Sequence, residues 1–533
     1  MVSEHTVSLR TLVLKRVNLL LREMEGHCAE ELAGFPLFSQ KELSRRITQL
    51  ILKGYYTDLM KCSPKEPSTY GSHLHQVSLG SNLIVKNSGE TRIAVQWRIV
   101  LANFFKFTAA STYLLVVFLG SLVVRRRGRS TGVASTIIGP RLKLVAFMEK
   151  EDIGREFARF CREGPLPFLN EAELIVCREQ ADATENERLL CISENPWVHL
   201  LKTNAPSISE VIRVLYDQAR LFLLFSLYCL RFPAFSFLHR DLAFFTIVSS
   251  LSRRGLIRDY VISNSEYYDQ ELWLNEFSGK SFSSNMVWYS SGFEWYKYKG
   301  ETEFIDSPEN WFFSVDHHWV WTARQKACLE KTPHVRSVTA VGPIMYYLPG
   351  SVEPEQEAHT IAIFDMTPRK GWHFRRRFGD HFRYYNSAET VRSFIEDIVE
   401  QIELLERRMN TTIRLVLKSK RTFEPKHDVG YLTYIRELED AGRIELLRPR
   451  TNIFDLAKKC SALVVLPWTS PGEVGAHVST PTLYYDPTNS LVEPVFDDEF
   501  LHFAQDKTEL GRFVAAALGT DATAAPSVHR RPN

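Results

Sequence analysis

From residue 360 onward the chain alternates short apolar runs with amphipathic helical runs, and few folds accept that rhythm. TIAIFD (360–365), TIRLVLK (412–418), IELL (444–447), ALVVL (462–466) and TPTLYYD (480–486) each read as a short strand. Between them lie SAETVRSFIEDIVEQIELLERRM (387–409), YLTYIRELEDAG (431–442), NIFDLAKKC (452–460) and a short helical run after Ser470, with a last helix over 509–517. Ser387 suits an N-cap with Glu389 in the first turn, and Gly442 suits a helix end. Strands that are apolar throughout are buried on both faces, which predicts a parallel, doubly wound sheet over 359–519. The tail, 520–533, is small, polar and proline-containing, and is expected to be disordered.

A weaker version of the pattern precedes it. RLKLVAFM (141–148), AELIVC (172–177), DYVISN (259–264), SNMVWYS (284–290), HWVWT (318–322) and VTAVGPIM (338–345) read as strands, with helices over 151–161 and 325–331. This predicts a first α/β domain over 141–347, with LPGSVEPEQE opening a linker over 348–358. Residues 1–140 mix helical patterns with a strand-like patch, LIVKNSGETRIAVQWRIVLA (83–102), turned at Asn87-Ser88-Gly89. The expected class is α/β: two Rossmann-like doubly wound domains facing a cleft, after an N-terminal mixed helical region.

A length of 533 residues supports two or three domains, and a net charge of +2 means that any basic site must be local. The eight Cys are scattered without metal-ligand spacing, so reduced thiols and a cytoplasmic location are expected. Arg10, Lys15 and Arg16 break the N-terminal apolar run, a poor signal peptide. Residues 107–124 form an uncharged stretch of 18 residues followed by Arg125, Arg126, Arg127 and Arg129. Three readings stay open for it: a short span with its arginines in the cytoplasm, a buried core helix, or a segment resting on the cytoplasmic face of the inner membrane. Residues 221–237 are also apolar, but Arg231 and Pro233 favour a core helix.

In doubly wound sheets ligands bind beyond the carboxyl ends of the strands. Lys418, Lys420 and Arg421 follow one strand, Pro467-Trp468-Thr469-Ser470 and a helix N-terminus follow another, and Asp486 and Asp365 follow two more. After Asp365 a long loop carries Arg369, Lys370, Arg375, Arg376, Arg377 and Arg383. Alone, each reads equally as a solvated loop or a capped turn. Together, cations, hydroxyls and a helix dipole suit a nucleotide phosphate held without a metal. No D-x-D, Walker A, H-E-x-x-H or G-x-S-x-G occurs. His239-Arg240-Asp241-Leu242 imitates a kinase loop without its companions, and Asp316-His317-His318 reads as a packed or exposed pair before metal ligands or a base.

The Pro467-Trp468-Thr469-Ser470 stretch resembles the signature of the polysaccharide-biosynthesis family named for a Pro-Phe-Thr-Ser motif, with Trp for Phe. FDMTP (364–368), LKSKR (417–421), TPTLYYDPT (480–488), SNSEYYDQE (263–271), MVWYSSGFE (286–294) and AVGPIM (340–345) are also similar to that family. The likeness covers roughly 240–490 and leaves out the first 140 residues. It implies a two-domain GT-B-like glycosyltransferase that moves a sugar from a nucleotide-sugar to a surface polysaccharide. The hydroxyl-rich motif is similar to that of CMP-sialic acid-dependent transferases, so a CMP-sugar stands beside UDP- and GDP-sugars as donor. Gly342, Asp365, Lys418, Lys420, Arg421, Pro467, Thr469, Ser470 and Asp486 are then expected to bind the donor. Glu266, followed by Asp269 and Glu294, are expected to supply the base. No metal or other cofactor is expected. The expected partners are the donor, a glycan or lipid-linked glycan acceptor, and the inner membrane, with nucleic acid unlikely on so neutral a chain. The alternative is a non-catalytic nucleotide-binding or scaffold protein of an envelope-polysaccharide assembly system.

Overall fold

The computed structural model describes residues 4–61, 77–79, 83–87, 91–124, 134–138, 153–178, 189–192, 195–264, 270–291, 299, 313–332, 335–350, 353–371, 387–496 and 498–519. Three strands, β1 (Val77–Leu79), β2 (Leu83–Asn87) and β3 (Thr91–Val95), form a small antiparallel sheet. The pairing of Asn87 with Thr91 agrees with the hairpin read at residues 87–89. The patch does not continue as strand past it: Trp97–Val124 is one helix.

The first large sheet has seven parallel strands: β4 (Ser135–Ile138), β5 (Leu174–Arg178), β6 (Leu189–Ile192), β7 (Ile257–Ser263), β8 (Ser283–Val287), β9 (His317–Val320) and β10 (Ser337–Ala340). Their order is β10-β9-β8-β7-β4-β5-β6. The order reverses between β7 and β4, the switch point of a doubly wound sheet. This corrects the boundary drawn at residue 141, because the interior strand β4 lies before it. The apolar run 141–148 lies outside the described residues.

The second sheet has six parallel strands: β11 (Thr360–Phe364), β12 (Arg414–Lys418), β13 (Glu445–Leu447), β14 (Ala462–Val465), β15 (Thr482–Tyr485) and β16 (Leu501–Ala504). Their order is β13-β12-β11-β14-β15-β16. The interior strands β11, β14 and β15 are buried at every position. β16 adds an edge strand to the five legible in the sequence. The helix Ala388–Met409 starts where expected, with the Ser387 hydroxyl accepting the Thr390 amide at 3.2 Å.

The two domains are stitched together before the expected linker. Residues 344–347 are buried between them. Tyr346 meets Phe160 edge-on at 5.7 Å, and Tyr347 meets Phe454 edge-on at 6.0 Å. One apolar cluster runs from Ile138 and Phe157 through these residues to Phe364, Val474 and Tyr484. The segment after it lies on the second domain, with the Gly350 amide donating to Asp455 at 2.7 Å and Lys458 bridging to Glu353 at 2.8 Å.

The N-terminal region is no separate body. Helices Glu4–Glu31 and Gln40–Lys61 pack on each other, and Met24, Ile47 and Leu52 share a core with Leu221, Phe235 and Leu242. Within this contact the Arg46 guanidinium pairs with the buried Asp241 carboxylate at 2.5 and 3.1 Å. Asp241 also accepts the Leu272 amide at 2.7 Å. The kinase-like tetrapeptide is therefore a packing device. The tail 520–533 lies outside the described residues.

Candidate functional site

The carboxyl ends of both sheets face each other across the Pro467–Ser470 turn. After β14 the chain turns through Trp468, whose φ of +62° lies in the left-handed region that costs an L residue about 1–2 kcal/mol. The ring holds it there, packing on Tyr484 at 5.9 Å and Phe496 at 6.5 Å. Thr469 donates its hydroxyl to the Leu466 carbonyl at 2.7 Å, which closes the turn and leaves the following helix, Ser470–His477, without a side-chain cap. Ser470 is partly exposed, and its Oγ accepts the amide of Ser291 from the first domain at 3.3 Å. That contact leaves the Ser470 proton available to a ligand, beside the positive end of the helix.

Two glycines set the helix against the sheet. A Cβ on Gly475 would fall 2.2 Å from Thr482 Oγ1 and 2.5 Å from Leu463 Cδ1, and one on Gly472 would fall 2.4 Å from the Tyr484 ring. Glu473 and His477, one turn apart, line a cleft of about 700 Å³. The opposite wall comes from the ends of β9 and β10, with Trp321, Thr322 and Gly342, and from the helix Ala323–Glu330, with Arg324. The Arg324 guanidinium bridges to Glu473 at 2.6 Å and lies 4.6 Å from the centre of the Phe496 ring. Tyr484 donates to the same Glu473 oxygen at 3.2 Å. Burial pushes the pKa of His477 down, opposed by Asp498. Gly342 takes φ +86°, and a Cβ there would meet the His477 ring at 3.4 Å.

Other residues expected to bind the donor have partners within the protein. Asp365 is buried: it accepts the Tyr431 hydroxyl at 2.6 Å, the Lys420 amide at 2.7 Å and the Thr367 hydroxyl at 3.0 Å. Desolvation raises its pKa, and these bonds oppose the rise. It anchors the segment that carries Lys420. Arg421 holds the carbonyl of Met366 at 3.0 Å and that of Thr367 at 3.3 Å. Asp486 is fully buried and ties its own loop, accepting the amides of Ser490 and Leu491 at 2.9 Å each. Lys418 is 6 % exposed and donates to the Pro449 carbonyl at 2.6 Å, and burial pulls its pKa down to about 8. Lys420 is exposed at the same strand end. Pro467 begins the turn.

Glu266, Asp269 and Glu294 lie outside the described residues, as do Arg375, Arg376, Arg377 and Arg383. Asp316 accepts from Arg336 at 2.6 Å and from the Ser284 amide at 3.1 Å, while His318 is enclosed. Both are packed, as expected. Among the described residues no three His, Cys, Asp or Glu side chains group as metal ligands. The cleft residues Arg324, Glu473 and His477 were not anticipated. The signal for two of them was present: Glu473 and His477 stand at i and i+4 on the helix behind the motif.

Two doubly wound domains whose strand ends close on a shared cleft define a GT-B-type α/β protein. The chain belongs to the polysaccharide biosynthesis PFTS motif family, whose model matches residues 221–514, more than half its length. Among solved structures it is similar to sucrose-phosphate synthase from Thermosynechococcus elongatus, at 12% identity and a TM-score of 0.37, covering 73% of this chain and 90% of that one. It is similar to UDP-GlcNAc 2-epimerase from Methanocaldococcus jannaschii, at 10% identity and a TM-score of 0.33, covering 72% and 91%. It is also similar to TarM, at 11% identity and a TM-score of 0.30, covering 49% of this chain and 47% of TarM, about half the length of each. No curated protein matches the chain.

Proposed function

We propose that this protein is a metal-independent glycosyltransferase of polysaccharide biosynthesis, taking its sugar from a nucleotide-sugar donor, with a CMP-sugar a candidate beside UDP- and GDP-sugars. The observation that carries the reading is the Ser470 position: a hydroxyl at an uncapped helix N-terminus, at a strand's carboxyl end, touched across the cleft by Ser291. Family membership supports it.

The acceptor oxygen attacks the anomeric carbon, and the bond from that carbon to the donor phosphate breaks. The departing phosphate carries the new charge, and Ser470, the helix N-terminus, Arg324 and the Lys418–Lys420 strand end supply the opposing field. Thr469 and Pro467 hold the turn that aims them. The acceptor proton passes to a first-domain carboxylate: Glu266, Asp269 or Glu294. Glu294 follows Ser291, the residue that touches Ser470, by three positions in the sequence. His477, whose pKa burial lowers, is a further candidate acceptor on the cleft wall.

A panel of CMP-, UDP- and GDP-sugars tests this by nucleotide release in the presence of a chelator. One donor is expected to turn over, and Ser470→Ala is expected to lower kcat/KM about 100-fold, the scale for losing one donor to a developing anion. A wild-type chain that binds no nucleotide overturns the reading. Binding without release under every acceptor condition favours the scaffold alternative.

A further inference from the structure

We propose that the helices Trp97–Val124 and Ile208–Arg231 together form a face that docks on an anionic lipid bilayer without spanning it. The first helix is long and apolar enough to cross a membrane, by length and composition. Yet one side of it is committed to the protein: Val100, Phe107, Leu114 and Phe118 are buried, and so are the polar Asn103 and Ser111. The second helix lies beside it. Phe104 meets Phe222 at 5.6 Å, and Phe107 meets Phe225 at 4.2 Å. Leu114 and Phe118 share a core with Val211 and Val214, so the pair runs antiparallel. A helix bound along its length to a second helix and followed by an interior strand of the first sheet cannot be threaded through a bilayer.

The outer sides of both helices are apolar and exposed. Leu101, Phe105 and Val116 stand out on the first, and Ile212, Leu223 and Leu230 on the second, with Phe105 at 70% and Leu230 at 68% exposure. Phe222, partly exposed at the seam, touches both Phe104 and Phe107, so the two strips meet there. Soluble monomers rarely leave so long an apolar surface in water.

The charge on this surface selects the occupant. Trp97–Val124 contains no acidic residue, and Lys106 is exposed on it. On Ile208–Arg231 the exposed charges are Arg213, Arg220 and Arg231. Its two acids are engaged with the helix His239–Arg253 and its cap: Glu210 is 3.6 Å from Arg254, and Asp217 is 4.0 Å from Arg253. Arg125, Arg126 and Arg127 follow in the sequence. An apolar strip whose exposed charges on these two helices, among the described residues, are all cations fits acyl chains below anionic headgroups, with insertion of about 5–10 Å.

The full chain is tested by co-sedimentation with phosphatidylcholine vesicles, with and without phosphatidylglycerol. Binding is expected to the phosphatidylglycerol vesicles and to fall with salt. Lys106→Glu with Arg220→Glu should weaken it at least about tenfold, given roughly fivefold for each surface cation lost. Phe105→Glu with Val116→Glu and Leu223→Glu should abolish it while the thermal melt stays unchanged. Should that variant misfold, a fluorophore on Val116→Cys in an otherwise wild-type background gives a second readout, a blue shift on adding the anionic vesicles. Alkaline carbonate should strip the protein from native membranes. Retention after carbonate, no blue shift, or vesicle binding indifferent to all five substitutions overturns the proposal. So does concentration-dependent self-association through this face with no vesicle binding.

Discussion

The imidazole of His318 sits on β9 with its Nδ1 accepting the Trp288 indole N–H at 3.2 Å, and its Nε2 has no partner among the described residues. Burial pushes its pKa down to about 3. The unfolded chain takes up this proton near pH 6.5 and the folded chain does not. The contribution of a neutral His318 is therefore fully present above pH 6.5 and is lost as pH falls through the window from 6.5 toward 3. Urea denaturation should show stability falling by up to about 1.4 kcal/mol per pH unit in that window. His318→Gln, which keeps an acceptor for Trp288 and cannot titrate, should have a shallower slope, and matching slopes would refute the assignment. Asp365 and Asp486 teach a related lesson. Their positions at strand ends were legible as ligand-facing, but loop amides and hydroxyls turn toward the nearest carboxylate, and both acids are used up inside the protein. Position follows from periodicity; the partner of a polar group depends on which segments the fold brings near.

The helix Ser470–His477 is held close to β14 and β15 because Gly472 and Gly475 present no Cβ. Gly475→Ala must push the helix away or displace Thr482 and Leu463, which costs about 1–3 kcal/mol. It should also move Ser470 relative to Ser291. The expected result is a lower denaturation midpoint together with weaker nucleotide binding. A midpoint that drops while binding holds would separate helix packing from the site. Legibility at this scale follows burial. Strands β11, β12, β14 and β15 are apolar runs covered on both faces, and the sequence betrays them. β16 reads LHFA, with His502 and Phe503 only half-buried at the sheet edge, and β4 reads STII, with buried Ser135 and Thr136 masking a strand. Neither offers a period to detect. The long helix Trp97–Val124 was legible as an apolar segment, but which side it buries depends on partners on helices that begin more than 70 residues further along the chain.

At the scale of the molecule, the N-terminal helices are bound to the first α/β domain by an apolar core and, among the described residues, the buried ion pair of Arg46 with Asp241. Removing only the guanidinium leaves an uncompensated carboxylate. Arg46→Met should therefore cost about 3–5 kcal/mol, while replacing both partners with apolar residues should cost much less. A double-mutant cycle on thermal stability checks this, and additive losses would mean the pair is not coupled. The segment 344–347 has a different kind of consequence. Because Tyr346 and Tyr347 are embedded in a core shared by both domains, swinging the lobes apart would wet aromatic surface that is dry at rest. Such a molecule does not gape like a jaw. A cleft opened by small sliding displacements over that closed floor, a drawer rather than a hinge, would keep this surface dry.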